Sequence, residues 1–277
     1  MSARRVMLSA LTVLTVLAVL TVLALLVVAQ TPSASSTSSF APYSSSFHVA
    51  TIVTDVEKDE FKTMVRIASK FGTHIKAVKD VGVFGHGGKG WGQRVKAMRR
   101  YLSLLPPRDI VMFVDGYDVL IAASPDRILA AFAQLVGDRI DDVVVFNAES
   151  NCFPYTELAD TYPESKTPYK YLNGGGCIGR VDVFAKLLDK HMDFSHPEFD
   201  KIDDQGEFTK IFLYSGGDIM LDTGNKIFNC MFAREKDLEH HPGRGWYNVE
   251  TDTYPSVFHA NGAVPQRMLF DTMAPLM

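Results

Sequence analysis

The run Asp109-Ile110-Val111-Met112-Phe113-Val114-Asp115-Gly116-Tyr117-Asp118 constrains this chain more than any other segment. Its apolar part is short and uninterrupted, which predicts a strand buried on both faces, as in a parallel sheet. The chain then turns abruptly acidic, with two aspartates spaced D-x-x-D around Gly116-Tyr117. Those carboxylates fall in the loop at the strand's C-terminal end, where open α/β sheets bind ligands. Hard oxygen ligands at that place suit Mg²⁺ or Mn²⁺, and a cation held there could in turn hold a diphosphate. The simpler reading of Asp115 and Asp118 is a polar turn, in which aspartate is common.

The remainder of the chain predicts strands alternating with helices. Short β-rich segments stand at His48–Val53, His74–Val78, Val143–Phe146, Ile219–Leu221 and Lys226–Phe232. Helical periods or caps mark Glu57–Phe71, Gln93–Leu105, Val181–Lys190 and Gln205–Tyr214. Ser124-Pro125-Asp126 has the form of an N-cap with proline at the first helical position, opening a helix to about Val136. Alternation of this kind predicts one α/β domain with a mainly parallel central sheet.

Composition excludes some functions and bounds the compartment. Of 277 residues, 47% are hydrophobic and 22% charged, an ordinary globular balance. A net charge of -4 supplies no basic excess to neutralise phosphates, so nucleic acid is not an expected partner. Cys152, Cys177 and Cys230 are too few for a disulfide scaffold and lack paired zinc spacing; one disulfide with one free thiol remains open. Arg4 and Arg5 precede an uncharged run, Val6 to Ala29, of about the length (roughly 20 residues) that crosses a bilayer. The positive flank favours a cytoplasmic N-terminus, as in a single-pass type II signal-anchor. The alternative is a signal peptide cleaved after Val27-Val28-Ala29. Both put the rest of the chain in the secretory lumen. Residues 30–46 are rich in Ser, Thr and Pro and read as a flexible stem, with the folded domain spanning 47–277.

Three further constellations carry chemistry. Asn173-Gly174-Gly175-Gly176 lets backbone approach a ligand closely, with Asn173 able to hydrogen-bond a sugar hydroxyl; otherwise it is a plain turn. It is neither a P-loop nor a dinucleotide fingerprint. Asp203-Asp204-Gln205 precedes a helix and reads either as a cap or as a site for binding or activating an acceptor hydroxyl. His259 follows an apolar strand, as the aspartate pair does, and a neutral imidazole there is a candidate metal ligand; a lone histidine is otherwise structural.

Several segments, in order, resemble the N-terminal glycosyltransferase domain of the procollagen lysyl hydroxylase/glycosyltransferase (PLOD-like) family. Phe113–Val119 resembles F-V-D-S-Y-D-V. Phe146–Glu149 with Cys152-Phe153-Pro154 is similar to F-S-A-E…C-W-P, and Tyr171–Gly179 to F-L-N-S-G-G-F-I-G. Asp203-Asp204-Gln205 matches D-D-Q, Leu221-Asp222 with Lys226-Ile227-Phe228 matches L-D…R-I-F, and His259-Ala260-Asn261-Gly262 resembles H-G-N-G. The match covers about Phe47 to Gln266.

The resemblance implies a GT-A (Rossmann-like) fold, a UDP-sugar donor and Mn²⁺, with Mg²⁺ as the alternative cation. It puts the metal ligands on Asp115, Asp118 and His259 and the catalytic acids on Asp203 and Asp204. Donor contacts fall on Val53, Thr54 and Tyr117, with Tyr117 as a platform for uracil, and on Trp91 in Gly90-Trp91-Gly92-Gln93, similar to the family's G-G-G-Q. Phe153 stands in place of Trp, Gly174 of Ser and Ala260 of Gly, departures that bear on the sugar and acceptor. The family continues into a hydroxylase domain beyond the point where this sequence stops, so no lysyl hydroxylase activity is expected. The implied activity is metal-dependent transfer of a hexose, glucose or galactose, to a protein or glycan hydroxyl in the ER or Golgi. A nucleotide-sugar hydrolase and an inactive glycan-binding relative are the rival readings.

Overall fold

The computed structural model describes residues 46–79, 90–262 and 265–277. The apolar run Val6–Ala29, the stem up to residue 45 and residues 80–89, which lead into Gly90-Trp91-Gly92-Gln93, lie outside the described residues. No helix among the described residues is long and apolar enough to cross a membrane.

Residues Ser45–Met277 form one compact unit built on a six-stranded sheet. Its strands are β1 (Phe47–Ile52), β2 (Ile75–Val78), β3 (Ile110–Val114), β5 (Val144–Glu149), β6 (Tyr171–Arg180) and β7 (Ile219–Leu221), in the order β2-β1-β3-β6-β5-β7. The sheet is parallel except at β6, which runs antiparallel to both its neighbours. A second sheet joins β4 (Val119–Ile121), β11 (Val257–His259) and β8 (Phe228–Cys230), and β9 (Leu238–His241) pairs with β10 (Gly245–Asn248). The mainly parallel α/β architecture agrees with the sequence. β4, β9 and β10 were not anticipated, and the expected Lys226–Phe232 strand contracts to β8.

Helices cover both faces. On one lie α1 (Asp59–Lys70), α3 (Pro125–Val136) and the three-stranded sheet; on the other lie α2 (Trp91–Leu102), α4 (Val181–His191) and α5 (Asp204–Tyr214). All five residues of β3 are buried, as a strand covered on both faces requires. The α3 boundaries follow their caps: the Ser124 side chain accepts from the Arg127 N–H, and Pro125 sits at the first turn. Ile128, Phe132 and Val136 repeat every four residues and are buried, each contributing about 1.5–3 kcal/mol.

The glycine run does not form a plain turn. It lies inside β6, whose register against β3 runs on through Gly176 opposite Val114. Against β5 the register breaks: Cys177 faces Phe146, yet Asn173 faces the next residue, Asn147. Gly174, Gly175 and Gly176 are therefore the extra residues of a large bulge, a role for which strand glycines are suited. Cys152, Cys177 and Cys230 are all free thiols. Burial pushes the Cys177 thiol up to about 12 and raises Cys230 as well, so both are protonated at neutral pH.

Helix α2 is seated tightly enough to test. A Cβ on Gly92 would come within 1.8 Å of the Phe199 carbonyl oxygen, a backbone atom that cannot step aside. Gly92→Ala is expected to lower stability by about 1–3 kcal/mol, read from urea unfolding midpoints. An unchanged midpoint would mean that α2 is free to shift away from Phe199.

Candidate metal and active site

The C-terminal ends of β3 and β11 meet at the acidic loop. Pairing of β11 with β4 places His259 opposite Val119, and the Ala260 N–H donates to the Asp118 carbonyl at 2.7 Å. These contacts carry the imidazole over the D-x-x-D loop. His259 Nε2 lies 3.3 Å from Asp118 Oδ2 and 3.6 Å from Asp115 Oδ2. One ligand atom from each of the three residues falls within 4.8 Å of the others, close enough to share one ion. Two carboxylates and one imidazole form a donor set suited to a divalent cation of the Mn²⁺ class.

Steric room for this cluster comes from the bulge. A Cβ on Gly175 would stand 2.1 Å from His259 Cε1 and 2.7 Å from Asp115 Oδ2. Only glycine lets the imidazole and the carboxylate close over the strand at that point. Burial by itself would lower the pKa of the His259 ring, but the charges of Asp118 and Asp115 outweigh it and raise it. Burial raises Asp115 as well, opposed by the Arg94 guanidinium. A cation among these groups would offset both the burial and the mutual repulsion of the carboxylates.

Arg94, on α2, was not singled out by the sequence. Its guanidinium is buried; it donates to Asp115 Oδ1 at 2.7 Å, to the Gly174 carbonyl at 3.2 Å, and through a very short contact to Asp204 Oδ2. Burial would lower its pKa, but Asp115 and Asp204 more than compensate and keep it charged. Helix α2 thereby joins the metal loop to the expected catalytic acids.

Those two acids differ. The Asp203 side chain is the N-cap of α5, accepting from the Gly206 N–H at 2.8 Å, and stays half-exposed. Asp204 is buried, with Oδ1 accepting from the Gln205 N–H and Oδ2 held by Arg94. Burial raises both carboxylates; the Gly206 N–H opposes this at Asp203, and Arg94 opposes it at Asp204.

The expected donor contacts are distributed unevenly. Val53 is fully buried in the core, and its N–H donates to the Val78 carbonyl at 3.2 Å, so it presents no free surface to a donor. Thr54 is exposed, and the Tyr117 hydroxyl accepts from the Thr54 and Asp55 N–H groups at 3.1 and 2.7 Å, stapling the loop after β1 to the metal loop. Lys58 Nζ stands 4.2 Å above the Tyr117 ring. Trp91 opens α2 and is half-buried. Asn173, expected to reach a sugar hydroxyl, instead points its amide into the protein. Gly174 likewise spends its backbone internally, donating to Gln205 Oε1 at 2.9 Å and accepting from Arg94.

A set of polar side chains beneath the imidazole was also missed. Glu149 Oε1 accepts from Asn173 Nδ2 at 2.9 Å and Gln205 Nε2 at 3.0 Å, and Oε2 accepts from Asn261 Nδ2 at 3.0 Å. Glu149, Gln205 and Asn261 each belong to a segment quoted above, but spacing alone assigned them no task. At the rim, Phe153 is 57% exposed, and its carbonyl accepts from Gln205 Nε2 at 2.9 Å.

The chain is similar to known proteins. The human "Multifunctional procollagen lysine hydroxylase and glycosyltransferase LH3" is 33% identical over 182 residues, covering 62% of this chain and 23% of that protein. The "Procollagen-lysine,2-oxoglutarate 5-dioxygenase" of Drosophila melanogaster is 35% identical over 168 residues, covering 56% and 22%. The chain thus spans about a quarter of the length of the curated relatives it matches. Among solved structures, a glycosyltransferase involved in glycosylation of the major capsid of PBCV-1 aligns at 11% identity with a TM-score of 0.49, covering 84% of this chain and all of that one. The family model described as "PLOD GT domain" matches residues 43–274. With that match spanning nearly all of the folded unit, the chain belongs to the PLOD glycosyltransferase domain family.

Proposed function

We propose that this chain is a metal-dependent hexosyltransferase that moves glucose or galactose from a UDP-sugar to a hydroxyl acceptor. The observation that carries the reading is the convergence of Asp115, Asp118 and His259 on one point, with Asp204 tied to the same cluster through Arg94. Asp115, Asp118 and His259 would hold Mn²⁺. Bound there, the cation supplies charge neutralisation for the donor diphosphate and for the leaving UDP. The family relationship and the donor set support this assignment over a purely structural cluster.

The chain's own residues then divide the work. Tyr117 offers an aromatic face near the exposed Thr54, where a uracil would stack. Arg94 keeps Asp115 oriented, holding Oδ1 so that Oδ2 faces His259. Asp204 serves mainly as Arg94's counter-charge, because both its oxygens are engaged and the group is buried. Asp203 is the better placed acid for an acceptor hydroxyl. It is half-exposed, and its raised pKa strengthens it as a hydrogen-bond acceptor and base.

The acceptor we propose is a hydroxylysine-linked glycan of a collagen-like protein, on the strength of the relatives' names. The proposed setting is the lumen of the ER or Golgi, with the Val6–Ala29 run as a type II anchor. The full chain incubated with a panel of UDP-sugars and Mn²⁺ should release UDP in step with glycosylated acceptor. UDP release without glycosylated product would redirect the reading to a hydrolase.

Two substitutions test the site. Asp118→Ala, which leaves the Asp115–Arg94 pair intact, should retain the fold but reduce Mn²⁺-dependent UDP release to background; turnover equal to the wild type would sink the metal assignment. Gly175→Ala should cost about 1–3 kcal/mol and also displace His259, measured as lost Mn²⁺ binding in an EPR titration. Full Mn²⁺ affinity in that variant would show that the imidazole is not needed in its observed place.

A further inference from the structure

The buried amides under the metal site have orientations that fixed backbone donors dictate, and the imidazole inherits its protonation pattern from them. Asn173 Oδ1 accepts from the Gly175 N–H at 2.9 Å. A backbone N–H can only donate, so the atom facing it must be the amide oxygen and its NH₂ must point the other way, at Glu149. Gln205 is fixed likewise: Oε1 accepts from the Gly174 N–H, leaving Nε2 for Glu149. Asn261 Oδ1 accepts from the Met231 and Phe232 N–H groups, each at 3.0 Å, so its NH₂ also turns to Glu149. Three NH₂ groups therefore converge on one carboxylate, which accepts at both oxygens.

His259 Nδ1 lies 2.9 Å from the same Asn173 oxygen. That oxygen is an acceptor, so Nδ1 must carry a proton. Cys230 Sγ, 3.9 Å from the same nitrogen, is a far weaker partner. In the neutral ring Nε2 then holds the lone pair, and Nε2 is the atom that faces Asp115 and Asp118. We infer that Asn173 and Glu149 are positioning residues, with Asn173 locking His259 in the Nδ1-protonated tautomer and Glu149 bracing the Asn173 amide. The inference rests on the metal reading above: without an ion the Asp118 and Asp115 carboxylates also accept from Nε2, so the Nδ1-protonated neutral ring is the form expected once a cation takes the place of the Nε2 proton. Buried partners of this kind behind a ligating imidazole govern both ring orientation and metal affinity.

The test uses the full chain with ¹⁵N-labelled histidine in the presence of Mg²⁺, a diamagnetic divalent cation, with the His259 signals identified by their loss in His259→Gln. Wild type should show the Nδ1–H tautomer. Asn173→Ala should shift His259 toward the Nε2–H form and weaken Mn²⁺ binding by about 10- to 100-fold. Because that variant leaves Glu149 one donor short, a second variant accompanies it: Asn173→Asp combined with Glu149→Gln. This pair keeps an acceptor at His259 and a single carboxylate in the cluster, so it should keep the Nδ1–H tautomer and bind Mn²⁺ more tightly than Asn173→Ala. The inference is overturned if folded Asn173→Ala retains the Nδ1–H form with wild-type Mn²⁺ affinity, or if the paired variant loses that tautomer as fully as Asn173→Ala. A wild type that binds neither cation but keeps Nδ1 protonated, with that proton lost from Nδ1 in Asn173→Ala, would uphold the Asn173–His259 contact while removing the metal reading.

Discussion

The buried guanidinium of Arg94 is the interaction on which the site's geometry depends. A charge taken out of water needs compensating charge and hydrogen bonds, or it is not tolerated. Here the compensation comes from three directions: Asp115 after β3, Asp204 at the start of α5, and the Gly174 carbonyl in β6. Satisfying one cation thus forces elements from separate parts of the sequence to converge. The same contact leaves Asp115 with one oxygen toward Arg94 and the other toward His259. The carboxylate is shared between a permanent cation and the place where a transient one would sit.

How much of this was legible follows from what each residue must do. Asp115 and Asp118 stood out as candidate ligands because two closely spaced carboxylates directly follow an apolar strand, whereas His259 joined them through the family resemblance. Arg94 was not, because it stands on a helix with Lys96, Arg99 and Arg100, and a run of cations on a helix reads as a solvated face. Lys96 and Arg99 do behave that way, pairing with the partly exposed Asp200 and Asp189. What sets Arg94 apart is its burial between two carboxylates, a property of tertiary packing. Glu149 was quoted only as part of a segment; a single acid at a strand end carries no spacing signal, and its three amide partners come from distant segments. The glycine run did contain a usable hint. Glycine amid strand-forming residues marks a bulge or a close approach as readily as a turn, and here it is both.

Asn173 shows how one residue can match a motif and still do something else. An asparagine beside glycines suits a sugar-binding loop, and nothing in its neighbours argues otherwise. Once the segment is strand, the side chain points beneath the imidazole, where Gly175 N–H, His259 and Glu149 consume its hydrogen-bonding groups. Under the proposed function, sugar and acceptor selection would fall to the rim, where Asp203 and Phe153 remain accessible.

The bulge in β6 also sets a parity. Side chains of a strand alternate between its two faces, so an insertion of odd length inverts the alternation beyond it. Ile178 pairs with Val145 and packs on the face that carries the three-stranded sheet. In a regular strand Asn173, five residues away, would point to the opposite face, toward α2, α4 and α5. The three-residue excess returns it to the face of Ile178, where His259 lies. Shortening the run by one glycine, with composition otherwise intact, would turn the amide away from the imidazole and drive a polar group into the aromatic packing of Phe146 and Phe208. The length of the run, counted as odd or even, is therefore as binding as the absence of side chains within it.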